Sequence, residues 1–229
     1  MKTFNLTAEP RTALGKKATK AFRKEGLVPV VLNGGEVVEL PYNGALECGA
    51  KLVTLPGKKL AGGKRAESEK GILATDLVVK MADVRKLIYT PEIFVIDLNI
   101  NGNTKKAVLK DLQFHPVTDE VLHIDLLEVY ENKPVVMEVP VKLEGHAAGV
   151  KAGGKLTLSM KKLKVKTVYT QMPERVIINV DNLELGQSLQ VGALHYEGLE
   201  LMNAKNAVVC AVQLTRAARG AQAQANAKK

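Results

Sequence analysis

The sequence predicts a mainly β fold with short helices, divided into two domains. Three observations carry that prediction. Apolar and polar residues alternate over short runs bounded by Gly, Asn, Asp and Pro, the period of a half-buried strand. A helical period appears in only two short windows, near 16–25 and 82–89. A polar break at Glu131-Asn132-Lys133-Pro134 separates a mixed segment, 1–128, from a segment, 129–216, in which nearly every periodic run reads as strand.

In chain order, Phe4-Asn5-Leu6-Thr7-Ala8 alternates and is the first strand. Residues 16–25 form a short helix with Ala18, Ala21 and Phe22 on one side and Lys16, Lys20, Arg23 and Lys24 over much of the rest. Gly26 stands where a helix end favours a left-handed residue, and Pro29 prevents continuation. Residues 28–40 read as strand, turn and strand around Gly34-Gly35. From 41 to 75, six glycines and two prolines signal a long insertion, partly mobile, holding one strand at Lys51–Leu55.

Regular structure resumes with Leu77-Val78-Val79 and the helix at 82–89, with Val84, Leu87 and Ile88 on one face. Residues 94–100 alternate, Asn101-Gly102 is a two-residue hairpin signal, and 106–110 return from it. Gln113-Phe114-His115-Pro116 precedes a strand at Val121–Leu127. Beyond Lys133 the expected strands are Pro134–Leu143, Leu156–Val168, Arg175–Val180, Ser188–Val191 and Ala207–Leu214, at a spacing that suits an all-β domain. Residues 217–229 have no core pattern and are expected to be a disordered tail.

The 229 residues are enough to bury a core, and with no Trp and 4% aromatic residues that core is aliphatic. The net charge of +9 is unevenly placed: +6 over 1–70, −3 over 71–128, +2 over 129–215 and +4 over 216–229. Arg11, Lys16, Lys17, Lys20, Arg23 and Lys24 fall within fourteen positions with no acid among them. Such a cluster suits a phosphate backbone, because each neutralised phosphate releases a counterion. A solvated helix face is the other reading of the same charges.

Two distant cysteines, Cys48 and Cys210, with no CxxC, argue against a disulfide framework or a structural zinc site. No apolar run approaches the roughly 20 residues that cross a bilayer, and the first residues lack a signal-peptide pattern. The expectation is a cytoplasmic protein with no cofactor, no metal, no membrane contact and no small-molecule substrate. No GxGxxG occurs, and Gly153-Gly154 lacks the Lys-Ser/Thr of a phosphate loop.

His123 and Asp125, two apart on a strand, leave by one face, while Leu122, Ile124 and Leu126 take the other, toward the core. The pair is open to several readings. It is a fragment of a Ser-His-Asp triad without a serine in an elbow context, or part of a metal set with His115, or a hydrogen-bonded surface pair. It is also a polar reader of base edges or 2′-hydroxyls beside the basic helix. Lys162, Lys164 and Lys166 share one strand face, which is solvated or a secondary RNA contact.

Four blocks in order resemble a known family. They are Arg11…Gly15-Lys16-Lys17-Ala18-Thr19-Lys20…Arg23-Lys24-Glu25-Gly26…Pro29; Lys110-Asp111-Leu112-Gln113-Phe114-His115-Pro116; Leu122-His123-Ile124-Asp125-Leu126; and Val139-Pro140-Val141…Gly145…Gly149-Val150-Lys151…Gly153-Gly154, followed by Met172-Pro173-Glu174. The chain resembles the bacterial 5S rRNA-binding ribosomal protein L-twenty-five family, in its long two-domain form of the general stress protein CTC type. The resemblance implies an N-terminal RNA-binding β-barrel (1–128), an all-β C-terminal domain (129–216), and a non-enzymatic constituent of the large ribosomal subunit. Its implied partners are 5S rRNA and other large-subunit components.

The resemblance also implies site residues. Arg11, Lys16, Lys20 and Arg23 contact the RNA backbone, and Thr19 hydrogen-bonds a phosphate. Gln113, His123 and Asp125 read edges and shape. Asn33 stands where an aromatic residue is frequent, so hydrogen bonding replaces stacking there. Ala21 replaces a second basic residue, and 41–75 is longer than the usual connection. The alternatives are a free stress-induced RNA-binding protein outside the ribosome and a hydrolase using His123 and Asp125.

Overall fold

The computed structural model describes residues 1–35, 37–39, 48–54 and 70–216. The chain divides into two compact units, Met1–Glu131 and Asn132–Lys229. The expected tail at 217–229 and most of the expected insertion lie outside the described residues.

The first unit is a six-stranded barrel. Its strands are β1 (Lys2–Pro10), β2 (Leu27–Asn33), β5 (Lys70–Lys80), β6 (Phe94–Ile100), β7 (Asn103–Phe114) and β8 (Val121–Glu128). They hydrogen-bond in the order β1-β6-β7-β8-β2-β5, and pairing of Glu9 with Val78 and Pro10 with Leu77 closes β5 onto β1. Closure leaves no free edge within the ring. Two of the pairings, β1 with β6 and β2 with β8, are parallel. The alternation read from the sequence becomes the barrel interior: Leu6, Val28, Val30, Leu32, Leu77, Val79, Ile96, Leu98, Ile124 and Leu126 are all buried. Asn101 and Gly102, at φ +49° and +93°, make the β6–β7 hairpin turn.

Helix α1 (Lys16–Lys24) links β1 to β2, and helix α2 (Met81–Ile88) links β5 to β6. α2 turns Val84 and Leu87 into the core, a burial worth about 1.5–3 kcal/mol per side chain. The Met81 N–H donates to the Gly26 carbonyl at 3.0 Å, tying the start of α2 to the end of α1.

Three expectations are corrected here. The 28–40 segment is not a hairpin: β2 and β3 (Val37–Glu39) both pair antiparallel with β5 and run in one direction. Between the Leu32–Thr75 and Val37–Ile72 partners, this side advances five positions and β5 three, so the chain bulges rather than reverses. Gly35 permits it, since a Cβ there would lie 2.5 Å from the Leu73 carbonyl oxygen. Second, the excursion ends earlier than 75: β5 starts at Lys70, and the strand expected at Lys51–Leu55 is β4 (Ala50–Thr54), paired with residues 71–75 of β5. The strand read at 77–79 is the end of this longer one. Third, Leu122 is only half-buried, and Val121 takes its place inside. A register shift opposite Gln113 and Phe114 breaks the simple alternation there.

Among the described residues the second unit is mainly β, with one short α-helix and two single-turn 3-10 helices, Tyr169–Gln171 and Val191–Ala193. β9 (Val135–Glu144) pairs with β11 (Lys162–Thr167) through its first half and with β12 (Val176–Asn179) through its second. With β14 (Glu200–Leu201) these form a four-stranded sheet in the order β12-β9-β11-β14. A second sheet has the order β10-β15-β13, from β10 (Lys155–Leu158), β13 (Ser188–Gln190) and β15 (Val208–Gln213). The expected single strand Leu156–Val168 is therefore two strands in different sheets. Ser159 and Met160 both donate to the Val209 carbonyl, at 2.9 and 3.1 Å, where the chain crosses over. The helix α3 (Ala148–Lys151) and β14 were not expected from the sequence.

Candidate nucleic-acid interface

Helix α1 starts at Gly15 with no side-chain cap and no acid in its first turn. Lys16 and Lys17 occupy that turn, at the positive end of the helix dipole. The arrangement is unfavourable alone and is relieved by an anion at the helix start. Lys16, Lys17, Lys20 and Lys24 are exposed, and no carboxylate among the described residues pairs with them. The helix packs along β2 but buries none of its residues. Its half-buried side chains are Ala18, Thr19 and Phe22, whereas Ala21, expected on the inner side, is exposed.

With so little apolar anchoring, polar contacts fix the helix. Arg23 donates from Nε and Nη2 to the carbonyl oxygen of Leu122 in β8, at 3.2 and 2.9 Å. Thr19 donates its hydroxyl to the Gly15 carbonyl at 2.6 Å. That proton is thus committed within the helix, and a phosphate contact by Thr19 requires it to leave Gly15.

Arg11 stands apart from the lysines. Its Nη2 lies 3.3 Å from Asp76 Oδ2, and the two side chains are only 13% and 11% exposed. The Arg11 N–H also donates to the Asp76 carbonyl, and the Asp76 N–H to the Gly49 carbonyl. Arg11 Nε is buried without a hydrogen-bond partner. Its charge is taken up by Asp76, so it pins the end of β1 to β5 rather than facing outward.

Beside Leu122, His123 Nδ1 lies 3.1 Å from Asp125 Oδ1, each side chain about a quarter exposed. With Nδ1 engaged, any further hydrogen bond from the ring passes through Nε2. On one side, Gln113 faces His123 and Asp111 faces Asp125 across β7. On the other, Val31 lies beside Asp125, and Asn33, half-buried, lies beside Leu127 across β2. Gln113, His123, Asp125 and Asn33 are thereby brought onto three adjacent strands. Sequence reasoning missed two residues, Asp111 and Asp76. Asp111 lay inside a quoted block, but the register shift beside it hides its pairing with Asp125 from the sequence.

None of Gln113, Asp111, Val31 and Asn33, which flank the His–Asp pair, is the serine that a Ser-His-Asp triad needs. His115 is used locally, its Nδ1 accepting from the Val117 and Thr118 N–H groups at 3.3 and 3.2 Å. In the second unit, Lys162 and Lys164 each lie 3.9 Å from Glu138, and Lys166 lies 2.9 Å from Glu200. That lysine face has two acidic partners for its three lysines, unlike α1.

Residues 6–47 and 66–126 match the Ribosomal L25p family, and residues 134–216 match the C-terminal domain of ribosomal protein TL5. A relative from Parabacteroides distasonis is 55% identical over 229 residues, covering 98% of this chain and all of the relative. One from Porphyromonas gingivalis is 52% identical over 222 residues, covering 96% and 97% of the two chains. One from Bacteroides thetaiotaomicron is 47% identical over 220 residues, covering 96% and 93%. Each of these relatives is named large ribosomal subunit protein bL25.

Proposed function

Because the chain belongs to the ribosomal L25p family, in its form with a TL5-type C-terminal domain, we propose that it is a structural, non-catalytic constituent of the large ribosomal subunit whose first unit binds 5S rRNA in the bacterial cytoplasm. The observation that carries this reading is the Arg23 fork onto Leu122, which fixes an unneutralised lysine helix beside the polar strand of His123 and Asp125. The lysines supply affinity, since each phosphate they neutralise releases counterions. Gln113, His123, Asp125 and Asn33 supply discrimination, because a polar group that meets a base edge or a 2′-hydroxyl rejects an RNA that lacks it.

Lys16, Lys20 and Arg23 face the backbone. Thr19 joins them if its hydroxyl turns from Gly15. Arg11 and Asp76 hold the loop from which α1 departs. The second unit, its lysine strand paired with Glu138 and Glu200, takes other ribosomal components as partners and leaves 5S rRNA to the first.

The test is a salt titration of 5S rRNA binding by the full chain and by Lys16→Ala and Lys20→Ala. Each substitution lowers the log–log salt slope by about 0.7–0.9. Unchanged slopes in both variants, or no co-sedimentation of the wild-type chain with 5S rRNA, overturn the reading.

A further inference from the structure

A second surface of the barrel is not used by that reading. While α2 turns Val84 and Leu87 inward, it turns Ala82, Arg85, Lys86 and Tyr89 outward at i, i+3, i+4 and i+7, a single helical stripe. With Phe4 of β1 and Phe94 of β6 these residues line an open groove of about 750 Å³. Phe4 and Phe94 meet edge to face, with ring centroids 5.9 Å apart and planes at 61°, so the floor is set in advance. Tyr89 is 59% exposed. The Thr90 hydroxyl donates to the Lys86 carbonyl and holds the last turn that presents it.

The groove has a sign as well as a shape. Arg85 and Lys86 stand on its rim, neither paired with a carboxylate among the described residues, and no acid lines it. Glu92, next to the β6 start, is ion-paired with Lys2 at 2.6 Å. Flat aromatic faces next to two free cations are the components of a sequence-tolerant single-strand contact, in which bases stack and phosphates are held electrostatically. We infer that this groove takes an unpaired nucleotide of single-stranded RNA, its base against Tyr89 and the Phe4–Phe94 pair and its phosphate between Arg85 and Lys86. An acidic protein segment would use the same cations, but a base adds face-on stacking on the exposed ring. The inference rests on the ribosomal reading only in taking RNA as the polyanion.

The test uses the full chain and a nine-residue single-stranded oligouridylate with a central 4-thiouridine. Photo-crosslinks are expected at Phe4, Tyr89 or Phe94. Tyr89→Ala weakens binding of this oligonucleotide about tenfold, and Tyr89→Phe, which keeps the ring, does not. Arg85→Ala with Lys86→Ala weakens it at least as much. Crosslinks found only elsewhere, or Tyr89→Ala and the double variant both binding within about twofold of wild type, overturn the inference. So does displacement of the oligonucleotide by a polyglutamate peptide at equal concentration, which would assign the groove to an acidic protein. The same variants titrated with 5S rRNA keep the two readings apart: loss through Lys16 and Lys20 belongs to the α1 face, and loss of oligonucleotide binding through Tyr89 belongs to this one.

Discussion

Arg23 and Leu122, ninety-nine positions apart, are joined by a forked contact in which one guanidinium donates twice to one carbonyl oxygen. The next residue in β8 is His123. The contact therefore couples the position of the cationic helix to that of the imidazole. Lysine cannot reproduce the fork, because its ammonium is a point charge on a flexible stem. Arg23→Lys keeps the charge and loses the register. The expected result is about fivefold weaker 5S rRNA binding, from the loss of about 1 kcal/mol of exposed hydrogen bonding, with an unchanged salt slope. Unchanged 5S rRNA affinity in Arg23→Lys would mean that Arg23 acts as a phosphate contact alone, since lysine supplies the same charge without the fork.

Arg11 and Asp76 make the opposite case, a cation that looks like an RNA ligand in sequence and is a strut in the fold. Arg11→Ala leaves a largely buried carboxylate unpaired. The expected loss of stability is about 2 kcal/mol, below that of a fully buried pair because both groups keep some solvent. It is read as a lowered urea midpoint. Arg11→Met with Asp76→Leu, which removes both charges, recovers most of the loss. A single variant as stable as wild type, with a reduced salt slope, would return Arg11 to the interface.

How far the molecule is legible in its sequence follows from the range of the forces involved. The strands at 94–100 and 121–127, the Asn101-Gly102 turn and the α1 helix are local patterns, and their periods are written in neighbouring residues. The pairing of Arg11 with Asp76, sixty-five positions away, is a property of barrel closure and has no local signature. The bulge at Gly34-Gly35 looked like a turn because glycine permits both, and only β5 on the other side decides between them. The Lys162–Lys166 face was ambiguous for a similar reason: Glu138 lies on β9 and Glu200 on β14, and register alone brings them to the lysines. At the interface, the residue types of His123 and Asp125 and their shared face were legible. Their bond to each other and the Arg23 fork beside them were not.

Asp181 offers a pH test of the second unit. The backbone N–H of His146 donates to its Oδ1 at 2.7 Å, and this bond, followed by the Asn179 side chain, holds its carboxyl below the ordinary value of 3.8. A depressed folded-state pKa means that the ionised form stabilises the fold above the unfolded value. That contribution is lost as pH falls through the folded value. Asp181→Asn should therefore melt below wild type at neutral pH, and the two should converge once the pH is taken well under 3.8. A gap that persists at the lowest pH would show that the difference between the two does not come from the carboxylate charge.

The His123–Asp125 pair separates recognition from attraction. Asp125 repels phosphate, so bulk attraction cannot account for a carboxylate beside a lysine helix, still less for Asp111 across from it. Two acids on neighbouring strands lower local affinity for any polyanion. They make sense at an RNA surface as acceptors for base amines or 2′-hydroxyls, with Asp125 also fixing the imidazole through Nδ1 so that Nε2 meets the ligand. Asp125→Ala frees the ring and removes an acceptor while removing a negative charge. Its binding to an unrelated duplex of equal length should be equal or tighter. Its binding to 5S rRNA should fall by about 1.5–3 kcal/mol, roughly ten- to a hundredfold. His123→Ala should lose the same preference without the gain on the unrelated duplex. Competition titrations of both RNAs at one salt concentration read the ratio directly. Should Asp125→Ala bind 5S rRNA as tightly as wild type and keep its preference, the pair is a surface hydrogen bond and discrimination lies elsewhere on the strand.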